Sequence, residues 1–216
     1  MSERIPEING ASIALTGSFN PKIFQPEWFA RQGLLPAEEA EGAQVRAIVP
    51  QICQFETERF YVQVTDQQFL AGSKPSTDPA PLPDLVRGTF FILEHTPVTA
   101  LGLNRQMHFA LGSEEEWHRV GDRLAPKDGW NEILGGRPGM LSLIIQTVMP
   151  EGAVFTFRIE PSTQVKNGIY FDANAHFSGL EKDSLNALME IAHEQWEGTQ
   201  AYASKVANHI LDWASK

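Results

Sequence analysis

Residues 140–177 read MLSLIIQTVMPEGAVFTFRIEPSTQVKNGIYFDANAHF. Met140 to Met149 and Ala153 to Ile159 are runs rich in β-branched and aromatic residues, and Pro150-Glu151-Gly152 between them is a hairpin turn. A third run, Gly168 to Phe177, follows a second turn at Lys166-Asn167-Gly168. Three strands joined this closely must lie antiparallel, because a parallel neighbour needs a crossover of a dozen or more residues. In the last of them Asp172, Asn174 and His176 share one face, and Phe177 points to the other. The stretch therefore predicts an antiparallel sheet with one polar face and one apolar face.

Outward from this core the chain alternates strands and helices. Ser12 to Phe19 has period-2 patterning and ends at Asn20-Pro21. Pro26 occupies a helix N1 position, and Glu27 to Gly33 reads as a short helix with Trp28 and Phe29 turned inward. Ala37 to Gly42 forms a further turn. Gln44 to Thr57 and Arg59 to Phe69 read as the two arms of one hairpin, with Pro50 marking an edge or a bulge. Gly72 to Pro83 is rich in proline and polar residues and predicts an exposed loop. Asp84 to Glu94 is helical, Val98 to Leu111 returns to strand, and Ser113 with Glu116 forms a capping box. The helix after it carries Trp117, Val120 and Leu124, and Lys127 to Leu134 adds a turn. From an N-cap at Asp183, an apolar stripe from Leu185 to Leu211 predicts a helix of about nine turns, bent at Gly198.

The fold class that follows is α+β. It is a curved antiparallel sheet of about six or seven strands with helices on one face, in a single domain spanning 1–216. The order β-α-β-β-(β)-α occurs twice. Glu27-Trp28 and Glu116-Trp117 each open the helix after a first strand, and Leu34-Leu35-Pro36 echoes Leu124-Ala125-Pro126. This suggests a tandem duplication over 9–97 and 98–216. In element order alone the layout resembles the saddle-shaped sheet of TATA-binding-protein-like folds. That resemblance carries no functional motif, and likeness of fold does not transfer function.

Composition bounds the function. The 216 residues hold 17 Lys plus Arg against 27 Asp plus Glu, a net charge of −10, which argues against binding the nucleic-acid backbone. Cys53 is the single cysteine, so a disulfide framework and a Cys-rich zinc module are excluded. No apolar run approaches the roughly 18 residues of a membrane span, and the first ten residues lack the features of a secretory leader. The expected setting is a reducing, cytoplasmic one, with no membrane partner.

The residues that could carry chemistry lie in two similar segments, Leu103 to Phe109 and Phe171 to Phe177. Each has an Asn shortly before a His-Phe pair. If the two strands are neighbours, Asn104, Arg105, His108, Asp172, Asn174 and His176 form a polar cluster on the sheet. Read functionally, the cluster is a ligand pocket or a histidine oriented by a carboxylate for acid/base work. Read structurally, it is the solvated face of an antiparallel sheet. Phe109 and Phe177 should then be buried under the helices, with His108 and His176 on the other face.

Other motifs are weak. The six histidines make no metal-ligand spacing, and His193 with Glu190 and Glu197 reads as a solvated helix face, so no metal and no cofactor is expected. There is no GxSxG, and Cys53 reads as a buried, inert thiol. Gly135-Gly136-Arg137-Pro138-Gly139 precedes a strand rather than a helix, so it does not cradle phosphate. The five tryptophans fall on helical stripes and predict core packing. Two functions remain open. One is a non-catalytic module that binds a protein partner or its own copies, through a face of the long helix or an edge strand at Gln44 to Phe55. The other is a small-ligand binder or enzyme using the sheet-face cluster.

Overall fold

The computed structural model describes residues 3–75, 77–150, 152–178 and 184–216. In chain order its elements are β1 (Ile8–Gly17), α1 (Pro26–Arg31), α2 (Ala37–Glu41), β2 (Gln44–Val49), β3 (Ile52–Glu56), β4 (Phe60–Thr65), β5 (Gln68–Ser73) and α3 (Leu82–Ile92). There follow β6 (Val98–Ala110), α4 (Glu114–Leu124), α5 (Trp130–Leu134), β7 (Leu143–Val148), β8 (Val154–Pro161), β9 (Gly168–Ser178), α6 (Ser184–Glu194) and α7 (Trp196–Ala214). The strands form one open antiparallel sheet in the order β2-β3-β4-β5-β1-β6-β9-β8-β7.

The sheet has nine strands among the described residues, where the sequence predicts six or seven. The difference lies at residues 44–73, where each expected arm is itself a hairpin. Pro50 and Gln51 form the turn between β2 and β3, a position that asks no ladder hydrogen bond of the proline. Asp66 and Gln67 turn β4 into β5, and the Thr65 hydroxyl accepts hydrogen bonds from the N–H groups of Gln67 (3.4 Å) and Gln68 (3.1 Å). This side-chain turn needs no glycine. The loop expected from Gly72 begins later, because Gly72 and Ser73 pair within the sheet.

The meander β7-β8-β9 is as the sequence predicts. Asn167 takes a left-handed conformation, φ 50°, at the turn into β9, and Gly152 does so, φ 85°, at the turn into β8. Along β9 burial alternates residue by residue, with Phe171, Ala173 and Ala175 buried and Asp172, Asn174 and His176 half-exposed.

The helices cover one face of the sheet. Beneath them lies a core that runs from Phe55 on β3 through Ile13, Leu101 and Leu103 on the central strands to Phe171 on β9. Phe69 and Phe90 meet edge to face at 5.0 Å and join α3 to β5. Each fully buried ring of this kind contributes about 1.5–3 kcal/mol by transfer from water. The terminal stripe is two helices, broken at Gln195 rather than bent at Gly198, and the expected cap at Asp183 lies outside the described residues. On α7 the buried positions Ala203, Ala207, Leu211 and Ala214 recur every three or four residues, and the alanines let the helix lie close to the sheet. The capping box forms as read: Ser113 Oγ accepts from Glu116 N–H at 3.2 Å, and the Glu116 carboxylate accepts from Gly112 N–H at 2.8 Å. Among the described residues no helix is long and apolar enough to cross a membrane.

Candidate functional site

The sheet register decides which polar residues meet. Ser12, Asn104, Asn174 and Thr156 lie side by side across β1, β6, β9 and β8. Their side chains form a ladder on the face away from the helices. Asn174 Nδ2 donates to Asn104 Oδ1 at 2.6 Å, and Asn104 Nδ2 donates to Ser12 Oγ at 3.1 Å. Two glycines make room for side chains that lean across this face. A Cβ on Gly72 would sit 2.2 Å from the Tyr61 ring, and one on Gly102 would sit 2.9 Å from Asn174 Nδ2.

One register step of two residues away lies an ion pair. Arg158 donates to Asp172 at 2.8 Å, approaches Glu160 at 3.5 Å, and stands 5.7 Å from the Tyr170 ring centre. The hydrogen bond to Asp172 holds the Arg158 pKa above its usual value. Burial is the largest influence on Tyr170, and its hydroxyl is pushed up to about 12.

His108 lies opposite Tyr170, with ring centres 4.5 Å apart, and is 7% exposed. Its Nδ1 is 2.8 Å from Ser162 Oγ, which already accepts from Gln164 N–H (3.1 Å) and Val165 N–H (2.9 Å). The Ser162 hydroxyl must therefore donate to Nδ1, which puts the ring proton of the neutral histidine on Nε2. Burial lowers the His108 pKa.

The structure brings together three of the six candidate residues as read from the sequence, and separates the others. Asn104, Asn174 and Asp172 stand on adjacent positions of β6 and β9. His176 faces Gly102, six residues along β6 from His108, so the two rings are about 20 Å apart and form no acid/base pair. Arg105 points to the opposite face. It shares strand parity with Leu103 and Met107, lies under α7, and donates weakly to Gln200 Oε1 at 3.4 Å, while its Nε is buried without a partner. Phe109 is buried as expected, whereas Phe177 is only half-buried and His108 is not exposed. Sequence reasoning missed Ser12, Arg158, Ser162 and Tyr170, because cross-strand neighbours are set by register and not by local spacing.

Chemically, this face is largely satisfied by itself. The amide ladder ends on Ser12, Asp172 is matched by Arg158, and His108 is tied to a serine. Among the described residues no three His, Cys, Asp or Glu side chains converge as a cation would require. An apolar-walled concavity lies elsewhere. A cavity of about 520 Å³ lies against Trp117, Met140, Pro161 and Ile169. Ile169 belongs to the helix side of β9, so this cavity does not coincide with the polar ladder.

The second unusual feature is at the margin of the sheet. The two free edges are β2 and β7, whereas β3, within the edge segment expected at Gln44 to Phe55, is paired on both sides. β2 carries Arg46, paired with Glu56, and a register shift between Val45 and Ala47. Charge and bulges blunt an edge against pairing. β7 has neither: no charged residue occurs from Pro138 to Pro150. Its residues are exposed on both faces, Ile144 by 62%, Ile145 by 50% and Val148 by 70%. Nearby in the chain Trp130, Ile133, Leu134 and Leu141 are exposed too, so Trp130 is not the core tryptophan expected; Trp213, 49% exposed, stands under Arg123 instead.

The backbone of β7 can be resolved residue by residue. Met149 N–H donates to Ala153 O at 2.8 Å, so Met149 and Ala153 are a hydrogen-bonded pair. In an antiparallel ladder such pairs alternate. Thr147, Ile145 and Leu143 therefore bond to β8, and the N–H and C=O groups of Ile144, Gln146 and Val148 point away from the sheet. No protein-family model matches this chain, and no curated protein is significantly similar to it.

Proposed function

We propose that this protein is a non-catalytic interaction module that takes up an added β-strand along the free edge of β7. One observation carries the reading. An uncharged edge strand presents outward main-chain groups at Ile144, Gln146 and Val148, flanked by exposed apolar side chains on both faces. Main-chain hydrogen bonds would supply affinity, and the alternating side chains specificity. The other edge, with its bulge and its Arg46–Glu56 pair, is blunted. The self-paired polar face supports the same reading, since its groups leave few donors and acceptors for a substrate.

The test is amide hydrogen exchange on the chain diluted to where it sediments as a monomer, with a soluble alternating Thr-Val octapeptide as a generic strand. Ile144, Gln146 and Val148 should gain protection of about tenfold or more at saturating peptide, equivalent to about 1.4 kcal/mol or more of local stabilisation. Gln146→Pro should remove the effect while the protein stays folded, because the lost N–H faces no strand. Unchanged exchange at all three amides under saturating peptide would refute strand uptake.

A further inference from the structure

We infer that the strand added to β7 is the β7 of a second copy, joined antiparallel about a two-fold axis at Gln146, so that two sheets become one. The inference rests on the strand-uptake reading above and names its occupant. Outward main-chain groups occur at Ile144, Gln146 and Val148. An antiparallel copy centred on Gln146 places Ile144 opposite the partner's Val148, Gln146 opposite the partner's Gln146, and Val148 opposite the partner's Ile144. All three are outward-bonding positions, so every one becomes a hydrogen-bonded pair. An isologous contact requires such self-complementarity, with residue i meeting j and j meeting i.

Side chains choose the same centre. Ile144, Gln146 and Val148 share the sheet face opposite the helices, as their partners Arg158, Thr156 and Val154 do. With the axis at Gln146 the two most exposed apolar residues of the strand, Ile144 and Val148, cover each other, and the two amides meet between them. A centre at Ile145 would set Ile144 against the partner's Gln146, leaving Val148 against Ser142, outside the strand. On the helix side the Gln146 centre pairs Ile145 with the partner's Thr147, both β-branched and suited to a pleated surface.

Charge selects a copy at this place. Each chain carries −10, so two chains repel wherever acidic surfaces meet. The span from Pro138 to Pro150 is free of charge, and an edge without charge is where a copy can dock without setting like charges opposite one another. β2, with Arg46 beside Glu56, offers no such seam.

The experiment combines sedimentation with engineered cysteines in the full chain. At about 100 µM the protein should sediment at twice its 24.0 kDa mass, and Val148→Lys should return it to monomer, since a lysine set against the partner's apolar Ile144 blunts the edge against pairing. Val148 is 70% exposed, so this variant leaves the single chain folded, which its melting temperature checks. Gln146→Cys should cross-link under mild oxidation, because hydrogen-bonded cross-strand Cα atoms lie about 5.5 Å apart, within disulfide reach. Val148→Cys should not, because the two copies of residue 148 stand about 13 Å or more apart along the strands. Cys53 is fully buried and does not compete. A strict monomer whose outward amides are still protected by the Thr-Val peptide would overturn the second copy and leave strand uptake standing. A strict monomer insensitive to the peptide would sink both. A dimer that ignores Val148→Lys and fails to cross-link at residue 146 would place the contact elsewhere and overturn the inference.

Discussion

Phe171 and His176 stand on the same strand and test the two faces of the sheet against each other. Phe171 is fully buried, faces Met107 and Ile159 across the register, and meets Phe109 edge to face at 5.8 Å. Phe171→Ala removes the ring from the middle of the core, where neighbours on three strands and the helices above cannot collapse fully into the space. Lost transfer energy plus a residual cavity should cost about 3–5 kcal/mol. For a chain of this size about 1 kcal/mol moves the melting temperature by about 2–4 °C, so the expected fall is about 6–20 °C. His176 faces Gly102 and Val154 and makes no hydrogen bond or ion pair among the described residues. His176→Ala should therefore change stability by no more than about 0.5 kcal/mol, or about 2 °C. Calorimetry of both variants at one protein concentration decides the matter. Equal losses would mean that the polar face is as buried as the helix side, and the assignment of faces would be wrong.

Two further outcomes follow from single titratable groups. Burial lowers the His108 pKa in the folded protein, so its neutral form is favoured there; the stability this contributes is complete above the unfolded value near 6.5 and is lost as pH falls below it. Melting temperature should drop between about pH 7 and about pH 5, and the drop should shrink in His108→Gln; an identical pH dependence in the variant would refute the linkage. Cys53 is buried, donates its S–H to Phe24 O at 2.9 Å, and has its thiol pushed up to about 11, by burial first and by the charge of Glu27 second. A disulfide reagent should leave it unlabelled in native buffer and label it at the rate of unfolding in denaturant, and rapid native labelling would contradict the burial.

The parts of the fold that were legible are those in which one signal suffices. β8 and β9 alternate strictly, and a residue able to take a left-handed turn, Asn167, sits between them. The sequence reads β2 to β5 as two strands and not four, because the turns at Pro50-Gln51 and Asp66-Gln67 contain no glycine, and one of them depends on the Thr65 hydroxyl. Strand parity alone places Arg105 with Leu103 and Met107, on the helix side; grouping it with Asn104 set its charge above that alternation. The pairing that organises the whole sheet, β1 with β6, joins residues such as Ser12 and Asn104 that are far apart in the chain, and no local pattern carries it.

The same limit explains β7. Leu143-Ile144-Ile145 reads as core, because a continuous β-branched run is what a strand covered on both faces looks like. Among the described residues that run has a neighbour on one side only, and Ile144 and Val148 stand exposed. A strand composed for an interior position but placed at an edge is a conflict between local composition and global position, which in folded proteins concentrates at sites with a function. On the strand-uptake proposal a second neighbour for β7 removes the conflict: it would pair the outward groups of Ile144, Gln146 and Val148 and bury the side chains beside them. Strand uptake, as proposed, would explain the apolar composition of β7, which its single neighbour β8 does not.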